Sequence, residues 1–189
     1  MTRFVLRTLA FLPLAFAAWY FAAPLLLWPA LAIVRAIAHA GFGNLVRAVE
    51  QSGAVATFVT TLRAGAGVVT VDVNLLLYSF GLPLFAALTV AAAKKHWLRD
   101  LAVGYVALVP VVAFGALADF LKNIAITSGP AIASQTGFVP WQRESIAFAF
   151  QFGSLILPAV TPAVLWIAMH RGFVAAARVD SLTQRPTKS

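Results

Sequence analysis

A chain of 189 residues that is 61% hydrophobic and only 11% charged lies well outside the ~45–50% and ~25% of ordinary soluble domains. The absence of cysteine excludes disulfides, thiolate nucleophiles and Cys-based zinc or iron–sulfur sites. A formal charge of +8 would suit nucleic-acid binding if the cations formed a stripe, but they are dispersed among segment ends, so no nucleic-acid partner is expected.

Four apolar runs account for the composition, at about 9–34, 73–93, 101–126 and 146–170. A helix crossing ~30 Å of hydrocarbon needs ~20 mostly apolar residues, and each run meets that length. The expected fold class is an all-α integral membrane protein. It is a single domain, 1–189: a four-transmembrane-helix bundle with a short extracytoplasmic β-hairpin between helices 1 and 2. The lipid bilayer is its first partner. The first run follows a basic Met1–Arg7 segment and precedes Ala38-His39-Ala40, a small-x-small pattern. Its apolar stretch of ~25 residues exceeds the ~7–15 of a secretory signal, so a retained anchor is expected.

The first extracytoplasmic loop, 36–72, opens with His39–Glu50, read as an interfacial helical stretch or irregular cap. Ala54–Leu62 (AVATFVTTL) and Val68–Val73 (VVTVDV) are short and β-branched, and Arg63–Gly67 between them has hairpin length. The second run follows directly. A cytoplasmic turn at Lys94–Asp100 leads into the third, a second extracytoplasmic loop spans 127–145, and a polar cytoplasmic tail covers 171–189. No internal repeat is recognisable, which gives no support to an inverted-repeat transporter.

Every run contains proline: Pro13, Pro24 and Pro29, then Pro83, then Pro110, then Pro158 and Pro162. Each removes an amide donor and predicts a local bend. Within a bilayer the freed carbonyl must be met by a neighbouring helix or side chain. Shaping of the packing is the expected consequence.

Charge sets an orientation. The N-terminus, the 94–100 turn and the tail carry nine cations against Asp100 and Asp180, a net +7, whereas the remaining segments sum to +1. The positive-inside rule then places both termini in the cytoplasm. Scarce polar residues gather at the opposite side: Arg35, His39, Asp72, Asn74, Asp119, Lys122, Asn123, Arg143, Glu144 and Gln151. Asp119 and Lys122, three apart, share a helix face as an ion pair. Gln151, an amide within the bilayer, calls for a hydrogen-bonding partner on another helix. One outer histidine among Glu50, Asp72, Asp119 and Glu144 makes no metal-ligand spacing or nucleophile elbow. No catalytic residue, metal or cofactor is therefore expected, and the chain reads as a non-enzyme.

Asn74–Leu88 (NLLLYSFGLPLFAAL), Thr136–Glu144 (TGFVPWQRE) and Phe150–Pro158 (FQFGSLILP), with Val49–Gly53 (VEQSG), resemble the exosortase H-associated membrane proteins. The positions carrying this resemblance are Asn74, Tyr78, Gly81, Pro83, Trp141, Gln142, Arg143, Glu144, Gln151, Gly153 and Pro158. It implies a location in a bacterial inner membrane and an accessory role there beside a sorting transpeptidase that resembles sortases in using cysteine with arginine. A cysteine-free chain cannot be that transpeptidase. The expected partners are an exosortase and the C-terminal helix of its substrates. The expected partner-binding residues are Asn74, Tyr78, Asp119, Lys122, Trp141, Gln142, Arg143, Glu144 and Gln151. The competing expectation is a small membrane transporter or channel for an envelope solute.

Overall fold

The computed structural model describes residues 2–92 and 95–172. Ala93 at the expected end of the second run, Lys94 in the turn and the tail beyond Gly172 lie outside the described residues. The chain opens with α1 (Thr2–Leu26) and α2 (Trp28–Phe42), followed by β1 (Val46–Ser52), β2 (Val55–Ala64) and β3 (Gly67–Asn74). Next come α3 (Leu76–Ser79), α4 (Gly81–Ala91) and α5 (Trp97–Lys122), the last continued by a π-helical turn, Asn123–Thr127. Short α6 (Pro130–Ala133) precedes α7 (Pro140–Gln151), a second π turn (Phe152–Ile156) and α8 (Leu157–Met169).

Among the described residues, three helical stretches are long and apolar enough to cross a membrane: Phe4–Leu26, Trp97–Thr127 and Pro140–Met169. The second apolar run does not make a helix of that length. Its first residues, through Asn74, belong to β3, and only Leu76–Ala91 is helical. The first run is also divided, because Pro24 and Pro29 bracket a joint at Leu27. Hydrogen bonds from Leu27 N to Ala23 O and from Leu31 N to Leu27 O carry the chain across it, so the joint is a kink. Its exposed carbonyls are met from elsewhere, as a proline-containing membrane helix requires. Tyr105 Oη on α5 donates to Leu26 O at 2.7 Å, and Gln51 Nε2 on β1 donates to Pro24 O at 3.0 Å.

The sheet has three antiparallel strands in the order β1-β2-β3, where a two-stranded hairpin was expected. The two expected strands are β2 and β3. The segment read as an interfacial helix or cap instead finishes α2 at Phe42 and then forms β1. A third strand relieves the marginal stability of an isolated hairpin. One sheet face is apolar: Ala56, Phe58 and Thr60 alternate inward along β2 and are fully buried. Phe58 stacks on Phe120 of α5 with ring centres 4.2 Å apart and planes 9° from parallel. Arg35 Nε on α2 donates to Val49 O of β1 at 2.9 Å, tying the sheet to the helix before it. At the far tip, the Gln135 side chain bonds both backbone groups of Arg63, at 2.9 and 3.0 Å.

Short α4 packs among α1, α5 and α8, while α2 and α7 pack along α5. The bundle therefore has two distinct ends. At one, Phe4 of α1 stacks on Trp166 of α8, Trp166 stacks on His170, and His170 Nε2 lies 3.5 Å from Asp100 Oδ2 of α5. The sheet, α6 and the start of α7 occupy the other. A broad apolar surface runs between them, with Phe21, Leu25, Val106, Phe148 and Leu155 among its exposed side chains. In lipid such a surface incurs no exposure penalty.

Candidate partner-binding face

A polar cluster sits where α5 and α7 each turn into a π turn. Asp119, in the last turns of α5, lies 3.7 Å through Oδ1 from Lys122 Nζ, with side-chain exposures of 13% and 27%. Asn123, first residue of the π turn, donates through Nδ2 both to Asp119 O and to Asp119 Oδ1, each at 2.9 Å. The ammonium of Lys122 also stands 4.3 Å from the ring centre of Phe150 on α7, a cation–π contact that joins the two helices. Tyr78 of α3 is buried beside Asp119. It can lie there because residue 115 is glycine: a Cβ on Gly115 would fall 2.5 Å from Tyr78 Cδ1. Three elements thus converge on one carboxylate. Single-turn π insertions recur at functional sites because they redirect side chains within a helix. Here one begins at Asn123, which bonds Asp119, and in the other Ser154 Oγ donates to the Phe150 carbonyl at 2.6 Å.

The remaining expected site residues divide by role. Asn74 Oδ1 accepts from Leu76 N at 3.0 Å, and Gln142 Oε1 accepts from Val139 N at 3.0 Å. Both side chains therefore close local turns, Asn74 between β3 and α3 and Gln142 at the start of α7. Trp141 is 66% exposed. Arg143 Nη2 reaches Ala133 O at 3.3 Å, while its Nε is buried without a hydrogen-bond partner. Arg143 and Glu144 both line an open cavity of about 410 Å³ bounded by α7, α6 and the π turn after α5. Gln151 is exposed, and among the described residues its amide makes no hydrogen bond to another helix. The expected role of Gln151 as internal glue is not what the packing gives. It faces outward, since the inward positions of that turn belong to Phe150 and Gly153.

Beside the cluster, a cleft of about 600 Å³ opens between α1 and α7, with Trp19, Leu77, Tyr78, Phe150 and Leu155 on its walls. Among the described residues no three His, Asp or Glu side chains gather as metal ligands. Sequence reasoning missed Phe150 as the partner of Lys122, and also Gln51 and Tyr105 as caps of the kink. No local pattern marks any of these, because each is a contact between distant elements.

Apolar helices bearing a small sheet at one end, with a polar cluster and lateral cleft beside it, define a helical membrane protein. The chain belongs to the exosortase H-associated membrane protein family, whose model matches residues 1–173. No curated protein and no solved structure matches it.

Proposed function

We propose that this is a non-enzymatic inner-membrane accessory protein of an exosortase-type sorting system. It binds the sorting enzyme, or the C-terminal helix of a substrate, through its extracytoplasmic face. The observation that carries this reading is the exposed amide of Gln151. It lies ten residues beyond Trp141 on the same helix, about 15 Å deeper at ~1.5 Å per residue. An amide turned to lipid at that depth stabilises contact with a partner helix that can satisfy it. One turn further along, Leu155 lines the lateral cleft, so the amide and the cleft lie within reach of one incoming helix. Trp141 supplies an interfacial anchor, and Lys122 and Arg143 supply positive charge.

The orientation proposed with this function has four crossings, with α3–α4 as the fourth. At about 24 Å, Leu76–Ala91 is short for the hydrocarbon layer, but its position among α1, α5 and α8 shields it from lipid. Its support is the gathering of Phe4, Asp100 and His170 at one end of the bundle, since an even number of crossings returns α8 to the side where α1 began. Arg7, Lys95, Arg99 and Arg171 belong to segment ends on that side, which favours the cytoplasm.

Affinity capture from native membranes tests the proposal. Exosortase is expected to enrich with the wild-type chain and to be depleted with Gln151→Ala combined with Lys122→Ala, with sorting impaired in parallel. Absence of enrichment, together with intact sorting in the double variant, would remove the accessory reading.

A further inference from the structure

The cavity beneath the α7 entrance has charge chemistry that the internal packing does not use. Arg143 gives one long bond to Ala133 O, and its Nε is buried and unpartnered. Among the described residues no carboxylate lies within ion-pair distance of its guanidinium. Glu144, adjacent and exposed, lines the same cavity without pairing with Arg143. The other walls are Ala125, Ile126, Ala133 and Ala147, with the Gly129–Pro130 turn at the rim. Arg143 lines this groove with donors that the packing leaves unused, and a guanidinium is suited to an anion with two or more oxygens, phosphate best of all. The carboxylate beside it disfavours a simple anion and favours a ligand that carries a cation next to its phosphate.

The surroundings indicate where such a ligand comes from. Trp141 is exposed two residues before Arg143, as expected at a membrane–water interface, and Phe148, one turn beyond Glu144, is 68% exposed on the apolar surface. The cavity therefore spans the boundary between polar loop and lipid-facing helix. We propose that it binds the headgroup of a zwitterionic glycerophospholipid bearing a primary ammonium. Its phosphate lies on Arg143 and its ammonium on Glu144, while the acyl chains run down α7 past Ala147. The inference depends on the chain being embedded in a bilayer, and its test involves no exosortase.

Native mass spectrometry of the full chain, delipidated in detergent and reloaded with defined lipids, tests it. Phosphatidylethanolamine is expected to be retained over phosphatidylglycerol and phosphatidylcholine. Arg143→Gln should lower retention of all three by about tenfold or more, the scale of a lost charge-assisted hydrogen bond. Glu144→Gln changes an exposed side chain and should leave folding intact. It should keep phospholipid binding while bringing the ethanolamine-to-glycerol preference close to one. Equal retention of the three lipids by the wild-type chain would overturn the inference, as would an unchanged preference in Glu144→Gln. Displacement by soluble phosphoethanolamine as readily as by the lipid would overturn the lipid assignment.

Discussion

The carbonyl oxygen of Pro158 faces Gly81 so closely that a Cβ at residue 81 would lie 2.6 Å from it. Pro162, four residues after Pro158, has no amide hydrogen to give this carbonyl, so α8 presents a free acceptor to its neighbour. The ring of Pro162 fills the rest of the contact, 3.1 Å from the same Cβ position. Glycine lets the first turn of α4 approach that carbonyl, and the approach fixes α4 against α8.

Gly81→Ala is accordingly expected to destabilise the bundle by about 1–3 kcal/mol, the range for overpacking a close contact. Gly81→Leu should prevent assembly. Thermal unfolding in detergent reads the first, and yield of folded monomer the second. A wild-type melting temperature for Gly81→Ala would show that the two helices separate without penalty.

Phe58 stacked on Phe120 is one of the ties that hold the sheet to the helices. Each ring is fully buried, so Phe58→Ala and Phe120→Ala should each cost about 3–5 kcal/mol. Beyond that loss, the stacked pair should show a coupling of about 0.5–1.5 kcal/mol in a double-mutant cycle. Protease resistance of the 46–74 region is the second readout. Strictly additive losses would mean that the rings merely fill space independently.

How much of this arrangement could be read in advance follows from which signals are local. AVATFVTTL and VVTVDV are short and β-branched, with a connection of hairpin length between them, and form β2 and β3. β1 was hidden because its pairing shifts register between Val46 and Ala48. Its buried residues are therefore Val46 and Val49, a helix-like spacing of three. The second apolar run was read too long because hydropathy cannot separate the buried end of a strand from the start of a helix. The Asp119–Lys122 pair was legible from spacing along one helix. Its anchoring by Phe150 was not, and neither was the consumption of Asn74 and Gln142 by local turns. Those outcomes depend on where α3 and α7 meet α5.

The absence of cysteine gives the orientation a clean test. Single substitutions Lys95→Cys and Trp141→Cys, both at exposed positions, should be labelled by an impermeant maleimide from opposite sides of the membrane, with Trp141→Cys reached from the periplasm. Labelling of both from one side would contradict the four-crossing arrangement.

The Asp119 carboxylate carries the last prediction, because Lys122 and Asn123 both depend on it. Asp119→Asn removes the charge but keeps an oxygen for Asn123, and Lys122 keeps its contact with the Phe150 ring. The expected loss is about 1 kcal/mol or less, the scale of a partly exposed ion pair. Asp119→Leu strands the Lys122 cation and leaves Asn123 only the backbone carbonyl of residue 119 as acceptor, so it should cost more, about 1–3 kcal/mol. Adding Lys122→Leu to Asp119→Leu should recover part of that stability, because removing both charges avoids stranding one of them. Thermal unfolding of the three variants in the same detergent provides the comparison. If the double variant is less stable than Asp119→Leu alone, then Lys122 is held chiefly by Phe150, and the aromatic contact is the main tie between α5 and α7.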